Sequence, residues 1–238
     1  RGLERLTGDL RGLEPAEGFD YLIHGAAITA KPDEMGLSDA AFLAENLELT
    51  LTALKLAQTH GARRFIFLSS AGVFGSAHAP PLDEAAVPDG LGLYAAAKRM
   101  GELAAQSLRA AGTLDAVSVR LGNLYGPDEV PRKTRPRVGL IARWLAEAEA
   151  ATTLTVANRD ALREWTHVRD LAPAFARLLQ HPAPPDVTHL CAPDALTDKE
   201  LAEKLQRRLP GVRLELSPQT AEPVRPPLRS RFTEVLGL

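Results

Sequence analysis

The sequence predicts an α/β fold built around a parallel sheet. Residues 65–68 form an unbroken apolar run after Gly61, and residues 93–111 are rich in Ala, Leu, Glu and Arg with apolar side chains at helical spacing. An unbroken apolar run is typical of a parallel strand that helices cover on both faces. Strand, helix and strand in that order, joined by short links, form a right-handed βαβ unit.

The chain before this run is predicted to supply one strand and one helix. Residues 19–24 form the strand, and small residues follow at its carboxyl end, where a ligand can approach the backbone. Residues 42–57 form the helix, because four leucines share one face and His60 and Gly61 provide a stop. The leucines are Leu43, Leu47, Leu51 and Leu54.

The chain after residue 111 continues the alternation. Further strands are predicted at residues 116–121, 154–156, 187–191 and 212–216, and further helices at residues 140–145, 171–180 and 197–209. Thr197 and Glu200 form a capping box at the start of the last of these helices. Residues 77–92 are rich in proline and predicted as a loop, in which Asp83 and Glu84 are expected to be solvated charges.

Composition excludes several classes of partner. The chain has 238 residues, 45% of them hydrophobic, which allows a substantial core. Its net charge of -2 predicts no attraction to nucleic acid or to a membrane surface, and no apolar run approaches the roughly 18 residues of a membrane span. Cys191 is the single cysteine, so no internal disulfide can form. We therefore predict a cytoplasmic location, and we predict no metal site.

One pair of residues carries specific chemistry. Tyr94 and Lys98 are four residues apart at the start of a predicted helix, so their side chains lie on one face. A free tyrosine has a pKa of about 10, and a neighbouring ammonium lowers it. Tyr94 can then exchange a proton with a substrate hydroxyl, while Ser70 at the end of the preceding strand bonds the same oxygen. Removal of this proton prepares the carbon that bears the hydroxyl to release hydride, for which a nicotinamide cofactor is the usual acceptor. The alternative is a tyrosine that only packs on the lysine stem.

Three sequence blocks place this pair in a wider pattern. They are FIFLSSAGVFG at residues 65–75, YAAAK at residues 94–98 and RLGNLYGP at residues 120–127. In order and separation they resemble the NAD-dependent epimerase/dehydratase family, the extended short-chain dehydrogenase/reductases, and within it enzymes like UDP-glucose 4-epimerase. The resemblance implies a Rossmann-like parallel sheet with a smaller C-terminal substrate-binding lobe. It also implies that Ser70, Tyr94 and Lys98 are the catalytic residues.

The resemblance divides the chain into two parts. Residues 1–130 would form an NAD(P)-binding Rossmann-like domain, and residues 131–238 a substrate-binding lobe. A segment at about residues 165–182 would return to the first domain.

The resemblance implies NAD as the cofactor, with NADP as an alternative. Asp9 would reach the adenine amine, residues 25–27 would pass beneath the ribose and pyrophosphate, and Asn46 would support the active site from behind the serine strand. The alternatives are a surface loop at Asp9 and a helix-start polar residue at Asn46. The full set of implied cofactor residues is Asp9, Leu10, Gly25, Ala26, Ala27, Asn46, Ser69, Tyr94 and Lys98.

The resemblance implies a nucleotide sugar or related small molecule as the substrate. Ser70, Asn123 and Arg163 are the implied substrate residues, and Arg163 would contact the phosphate or ribose. The alternative for Arg163 is a salt bridge with Glu164 or Asp160. A loop containing four basic residues could face a phosphate or carry only surface charge, and Arg225 is a further, loosely aligned candidate. The loop residues are Arg132, Lys133, Arg135 and Arg137.

The sequence departs from the family pattern in two places. It contains no Gly-x-x-Gly-x-x-Gly turn to hold the pyrophosphate, so we expect a chain truncated at its N-terminus that lacks the first strands. Ala71 and Gly72 stand where the family's dehydratases have Asp and Glu, which favours epimerisation or simple oxidoreduction of a nucleotide sugar, as in UDP-glucose 4-epimerase, over dehydration. The alternatives are a non-catalytic nucleotide-binding or scaffold relative and an inactive fragment. A homodimer is the family expectation.

Overall fold

The computed structural model describes residues 8–15, 17–217 and 224–237. The strands are β1 (Tyr21–His24), β2 (Arg64–Ser70), β3 (Ala116–Leu121), β4 (Asn123–Tyr125), β5 (Thr153–Val156), β6 (Leu162–His167), β7 (Val187–Leu190), β8 (Ala195–Thr197) and β9 (Arg213–Leu216). The helices are α1 (Asp39–Thr59), α2 (Leu93–Ala110), α3 (Leu140–Ala151), α4 (Val168–Gln180), α5 (Asp198–Gln206) and α6 (Thr233–Leu236).

A four-stranded parallel sheet in the order β1, β2, β3, β7 forms the centre of the fold. Its register pairs His24 with Phe67 and Ser70 with Leu121, so the carboxyl ends of β1, β2 and β3 lie at one edge. Ligands bind at this edge in open α/β sheets. The predicted α/β fold with a parallel sheet is confirmed.

Helices cover both faces of this sheet. On one face, Ala53 and Leu54 of α1 and Ala105 of α2 pack with Phe65 and Phe67 of β2 in a buried cluster. On the other face, α4 and α6 pack against β2 and β3 in a second cluster that contains Ala174, Leu178, Leu236, Ile66 and Val117. The central strand β2 is therefore buried on both sides, which explains its unbroken apolar run.

Smaller sheets follow in the second half of the chain. One is β4, β6 and β8, and the other pairs β5 with β9. Helices α3 and α5 pack on them through a cluster that includes Trp144, Leu154 and Leu201. The division of the chain at residue 130 stays a prediction. Within the part of the chain described, no helix has the length and apolar character that a membrane crossing requires.

Local signals placed several element boundaries well. The capping box is present: Thr197 Oγ1 accepts a hydrogen bond from Glu200 N (3.1 Å), and Glu200 Oε2 accepts one from Thr197 N (2.8 Å). Helix α1 begins three residues before the predicted helix, because Ser38 caps it by accepting from Ala41 N. Strands β4, β6 and β8 were not predicted. Strands β4 and β8 have only three residues, which give no clear periodicity, and β6 mixes charged, polar and aromatic side chains.

The prediction that Glu84 is a solvated charge is wrong. Its Oε1 accepts hydrogen bonds from His189 N and from Ser230 Oγ, both at 2.8 Å, and its Oε2 accepts one from Arg231 N at 2.9 Å. The carboxylate therefore fastens the loop to β7 and to the C-terminal segment, contacts more than 100 residues away that local sequence does not reveal.

Candidate active site

Ser70 and Tyr94 lie together at the carboxyl edge of the central sheet. Ser70 is the last residue of β2, and its Oγ accepts a hydrogen bond from Gly72 N (3.0 Å). Tyr94 is the second residue of α2, and its side chain lies close to that of Ser70, whose hydrogen bonding acts to lower the pKa of the phenol. A methyl group on Gly72 would lie 3.2 Å from Tyr94 Cε1, so the ring packs directly against the turn after Ser70.

Lys98 lies one turn further along α2 and points at β2. Its Nζ donates a hydrogen bond to the Leu68 carbonyl (2.8 Å) and lies 5.8 Å from the centre of the Tyr94 ring. Burial lowers the pKa of Lys98 to about 8, and the charge of Glu102 acts in the opposite direction. The structure therefore brings the three predicted catalytic residues together, with the ammonium held by backbone.

The pKa of Tyr94 is shifted in the direction opposite to the one the spacing predicts. Burial raises it above its usual value and outweighs two lowering effects, the hydrogen bond with Ser70 and the charge of Arg135. Because the Lys98 ammonium is directed at a carbonyl rather than at the phenol, it does not reverse this shift. At neutral pH the phenol is thus protonated in this structure.

A cavity of about 610 Å³ opens beside Tyr94. Three arginines, Arg135, Arg143 and Arg163, line it, and among its described lining residues there is no Asp or Glu. The remaining lining residues are Thr29, Ser69, Ser70, Tyr94, Leu121, Gly122, Asn123, Leu124, Gly139, Leu140 and Trp165. This wall suits an anionic ligand.

The predicted substrate residues Arg163 and Asn123 both contact buried carboxylates. Arg163 Nε donates to Asp198 Oδ1 (2.8 Å) and its Nη2 to Asp198 Oδ2 (3.3 Å). A salt bridge was one alternative for Arg163, but the expected partners Glu164 and Asp160 were wrong, since α5 brings Asp198 to it. Asn123 Nδ2 donates to Glu164 Oε1 (3.2 Å).

Arg225 is also neutralised. Its Nη2 lies 2.6 Å from Oε1 of Glu164, whose side chain is 1% exposed. Arg143, which the sequence analysis did not single out, is exposed and forms no ion pair within 4 Å among the described residues, although its charge acts to lower the pKa of Asp198. In the sequence, Arg143 differs from its neighbours only as a basic residue among the apolar residues of α3. A basic residue on the exposed face of a helix is usually no more than surface charge. Because Arg135 pairs with Glu129 (2.8 Å) and Arg163 pairs with Asp198, Arg143 is the arginine of this cavity that is free of an ion pair within the described chain.

Comparison with known proteins identifies the family. A family model described as the NAD dependent epimerase/dehydratase family matches residues 7–190. The chain belongs to this family. The resemblance seen in the three sequence blocks is thereby confirmed.

Two curated relatives and one solved structure illustrate membership of the epimerase/dehydratase family. A dTDP-glucose 4,6-dehydratase from Streptomyces niveus is 31% identical over 188 residues, which cover 79% of this chain and 54% of that protein. A putative GDP-L-fucose synthase 2 from Oryza sativa subsp. japonica is 30% identical over 196 residues, which cover 78% and 56%. The structure of RMD from Pseudomonas aeruginosa complexed with NADPH aligns with a TM-score of 0.77 at 26% identity and covers 96% of this chain and 78% of that one. The chain thus spans little more than half the length of these curated relatives.

Several of the residues that the resemblance implies in cofactor binding follow β1 at the same sheet edge. Gly25 and Ala26 directly follow β1 and are exposed, and Ala27 is half-buried. A methyl group on Gly25 would lie 3.2 Å from Leu68 Cδ1, so the backbone runs close over the end of β2. Asn46 Oδ1 accepts from Ile28 N (2.9 Å), which ties the segment after β1 to α1. These small residues fit a dinucleotide, because they leave the edge open for close approach.

Two of the implied cofactor residues use their polar groups within the protein. Asp9 accepts hydrogen bonds from Arg11 N (2.9 Å) and Arg11 Nη2 (2.7 Å), and Arg11 lowers its pKa. Leu10, beside it, packs against the core cluster of α1 and α2. The Ser69 hydroxyl donates to Glu102 Oε1 (2.6 Å), so this side chain faces α2. Their roles toward a cofactor stay predictions.

Proposed function

We propose that this chain carries the active site of an NAD(P)-dependent enzyme that oxidises and reduces a hydroxyl of a nucleotide sugar. The observation that carries the proposal is the placement of the Ser70 hydroxyl and the Tyr94 phenol together on the wall of a cavity that contains arginines. A phenol and a hydroxyl that lie together on one cavity wall can bind one substrate oxygen between them.

Tyr94 moves the proton in this mechanism. Its phenol is protonated at rest and must first lose that proton to solvent. The phenolate then takes the proton of the substrate hydroxyl as the alcohol is oxidised, and the phenol so formed returns it to the oxygen of the keto intermediate on reduction. Ser70 holds the same oxygen. We assign to Lys98, whose Nζ lies 5.8 Å from the centre of the Tyr94 ring while it donates to the Leu68 carbonyl, the long-range stabilisation of the phenolate by its positive charge. A nicotinamide cofactor bound here would supply the acceptor for hydride from the carbon that bears this oxygen and the donor for its return. Gly25, Ala26 and the end of β2 would hold it.

Arg143 is the residue that we assign to the anionic part of the substrate. Arg163 is already paired with Asp198, whereas Arg143 keeps its full hydrogen-bonding capacity for a phosphate. The curated relatives are named for dTDP and GDP sugars, which supports a nucleotide diphosphate on the substrate. NAD is the cofactor we propose, and the solved relative with NADPH keeps NADP as the second candidate.

Within this class we propose an epimerisation of the 4-epimerase type. Dehydration needs an acid that protonates the departing hydroxyl, and no carboxylate lines the described wall of the cavity. Ala71 and Gly72 follow Ser70 and carry no such group. Epimerisation requires only that Tyr94 exchange the proton and that hydride return to the other face of the ring.

The test is incubation of the chain with UDP-glucose, dTDP-glucose or GDP-mannose and either NAD or NADP, with products analysed by mass spectrometry and NMR. Epimerisation gives a stereoisomer of unchanged mass and no net reduced cofactor. A product that has lost water would establish a dehydratase, and net reduced cofactor a dehydrogenase. Cofactor binding without any turnover would favour the non-catalytic alternative.

A substitution tests the assignment of Arg143. Arg143→Met should raise KM for the nucleotide sugar about tenfold and leave kcat nearly unchanged, because it removes an interaction made equally in the ground and transition states. Arg208→Met, at an exposed arginine outside the cavity lining, is the matched control. An unchanged KM in Arg143→Met would contradict the assignment.

A further inference from the structure

Glu102 is a buried carboxylate that the proposed chemistry does not use. It follows Tyr94 and Lys98 on α2 at intervals of four residues, and it is 8% exposed. Tyr94, Lys98 and Glu102 therefore form one row along the helix, directed at β2. A buried charge is costly unless it is paired and fully hydrogen-bonded.

Glu102 is fully paired, and its partners reach the active-site strand. Its Oε1 accepts hydrogen bonds from Ser69 Oγ (2.6 Å) and Arg120 Nε (2.8 Å), and its Oε2 accepts one from Arg120 Nη2 (2.8 Å). Arg120 belongs to β3, and its guanidinium lies over the Phe74 ring at 5.1 Å. Such a buried ion pair is often no more stable than apolar residues of the same shape, so stability alone is a weak reason for its presence.

The contacts of Glu102 fix the spacing between Tyr94 and Ser70. Two consecutive turns of α2 hold two consecutive residues of β2: Lys98 Nζ binds the Leu68 carbonyl, and Glu102 binds Ser69. Ser70 is the next residue of the strand. Tyr94 begins the same helix, so helix and strand cannot shift relative to each other without breaking these bonds.

We propose that Glu102 is a positioning residue for proton transfer, which holds the Ser69–Ser70 end of β2 against α2 and keeps the Lys98 ammonium charged beside Tyr94. This inference rests on the proposed function for its catalytic consequence. Its structural content, the charge state of Lys98, is measurable without turnover.

The charged and titratable groups that face Lys98 come from several elements. On its own helix are Tyr94 and Glu102, and from β3 Arg120 balances the charge of Glu102. From β1, His24 faces it, and burial together with the Lys98 charge lowers the pKa of that imidazole to about 4, so it is neutral above that pH. Glu102 is thus the anion among them, and its charge raises the pKa of Lys98 against the effect of burial.

The test is a titration of Lys98 by NMR in protein labelled at the lysine ε-carbon. The chain has six lysines, and Lys98→Met identifies the signal of interest. In the unaltered protein its midpoint should lie near the pKa of about 8. Glu102→Gln should lower the midpoint by about one pH unit, because a carboxylate one turn away loses its charge.

Two further variants separate charge from folding. Glu102→Gln combined with Arg120→Gln leaves no unpaired buried charge. It should also lower the midpoint, but by less than Glu102→Gln alone, because the repulsion between Arg120 and Lys98 is removed as well. Ser69→Ala removes the hydrogen bond but keeps the carboxylate, so its midpoint should stay within about 0.3 unit of the original. In these variants the pH at which kcat falls on the alkaline side should follow the NMR midpoint of Lys98. A purely structural role of Glu102 would instead lower kcat at every pH.

The outcomes separate this inference from the proposed function. An unchanged Lys98 midpoint in both Gln variants would overturn the role of Glu102, whatever the activity. Full turnover in Tyr94→Phe would overturn the proposed function instead, and the midpoint shift would then describe only the electrostatics of α2.

Discussion

Lys98→Met should stabilise the fold at neutral pH while it removes activity. Lys98 is 6% exposed, and burial lowers its pKa from 10.5 to about 8. A difference of one pKa unit corresponds to about 1.4 kcal/mol, so keeping this ammonium charged in the folded protein costs about 3 kcal/mol at pH 7. Methionine has a similar length and carries no charge.

The penalty for the buried Lys98 charge changes with pH, and the two pKa values give the direction of the change. Below pH 8 the lysine is protonated in the folded and the unfolded chain, so the full penalty is present. Between pH 8 and 10.5 the folded protein has released the proton and the unfolded chain still binds it, so the penalty falls as pH rises. At pH 9.5 it should be about 1.4 kcal/mol.

The Lys98→Met variant also loses a stabilising hydrogen bond, which reduces its expected gain in the free energy of unfolding. Lys98→Met leaves the Leu68 carbonyl without its donor, which costs about 1–2 kcal/mol. The expected net gain at pH 7 is therefore about 1–2 kcal/mol. The gain should shrink by about 2 kcal/mol between pH 7 and 9.5 and so disappear or change sign.

Urea unfolding of both proteins at pH 7, 8.5 and 9.5 measures this difference. Groups common to both proteins cancel in the comparison, so the change with pH reports on Lys98. A difference in the free energy of unfolding that is constant over this range would refute the reasoning, because the buried ammonium would then carry no penalty.

Two further predictions concern residues that support β1 and β2. Gly101→Ala should destabilise the fold by about 1–3 kcal/mol in urea unfolding, because the added methyl group would lie 2.8 and 2.9 Å from two ring carbons of Phe67. Gly12→Ala is the control, since its methyl group would meet no atom within 4 Å. Equal effects of the two substitutions on the free energy of unfolding would contradict this packing argument. For His24, the pKa lowered from 6.5 to about 4 means that stability is lost as pH falls below 6.5, by about 2 kcal/mol at pH 5. His24→Asn should lose less stability between pH 7 and 5, and equal losses would show that the imidazole is not responsible.

Local sequence predicted those features whose causes are local. The unbroken apolar run of β2 reflects burial on both faces, and the spacing of Tyr94 and Lys98 places them on one side of α2. The order of the three sequence blocks located Ser70 at the same edge.

The partners of charged side chains were not predictable in the same way. Asp198 follows Arg163 by 35 residues and Glu164 precedes Arg225 by 61, and only the packing of α5 and of the C-terminal segment brings them together. The direction of the Tyr94 pKa shift was missed for the same reason. It depends on how deeply the phenol is buried and on where the Lys98 ammonium points, and spacing along a helix specifies neither.

The most direct test of the central claim compares Tyr94→Phe with the unaltered protein. Phenylalanine keeps the ring that packs against the turn at Gly72 and removes only the hydroxyl. The rate at which Tyr94→Phe converts the nucleotide-sugar substrate should fall at least about a thousandfold, because the residue that acts as acid and base is lost. The Kd for NAD, measured by fluorescence, should change less than about threefold. Turnover that survives in Tyr94→Phe would contradict the role of Tyr94 in proton transfer.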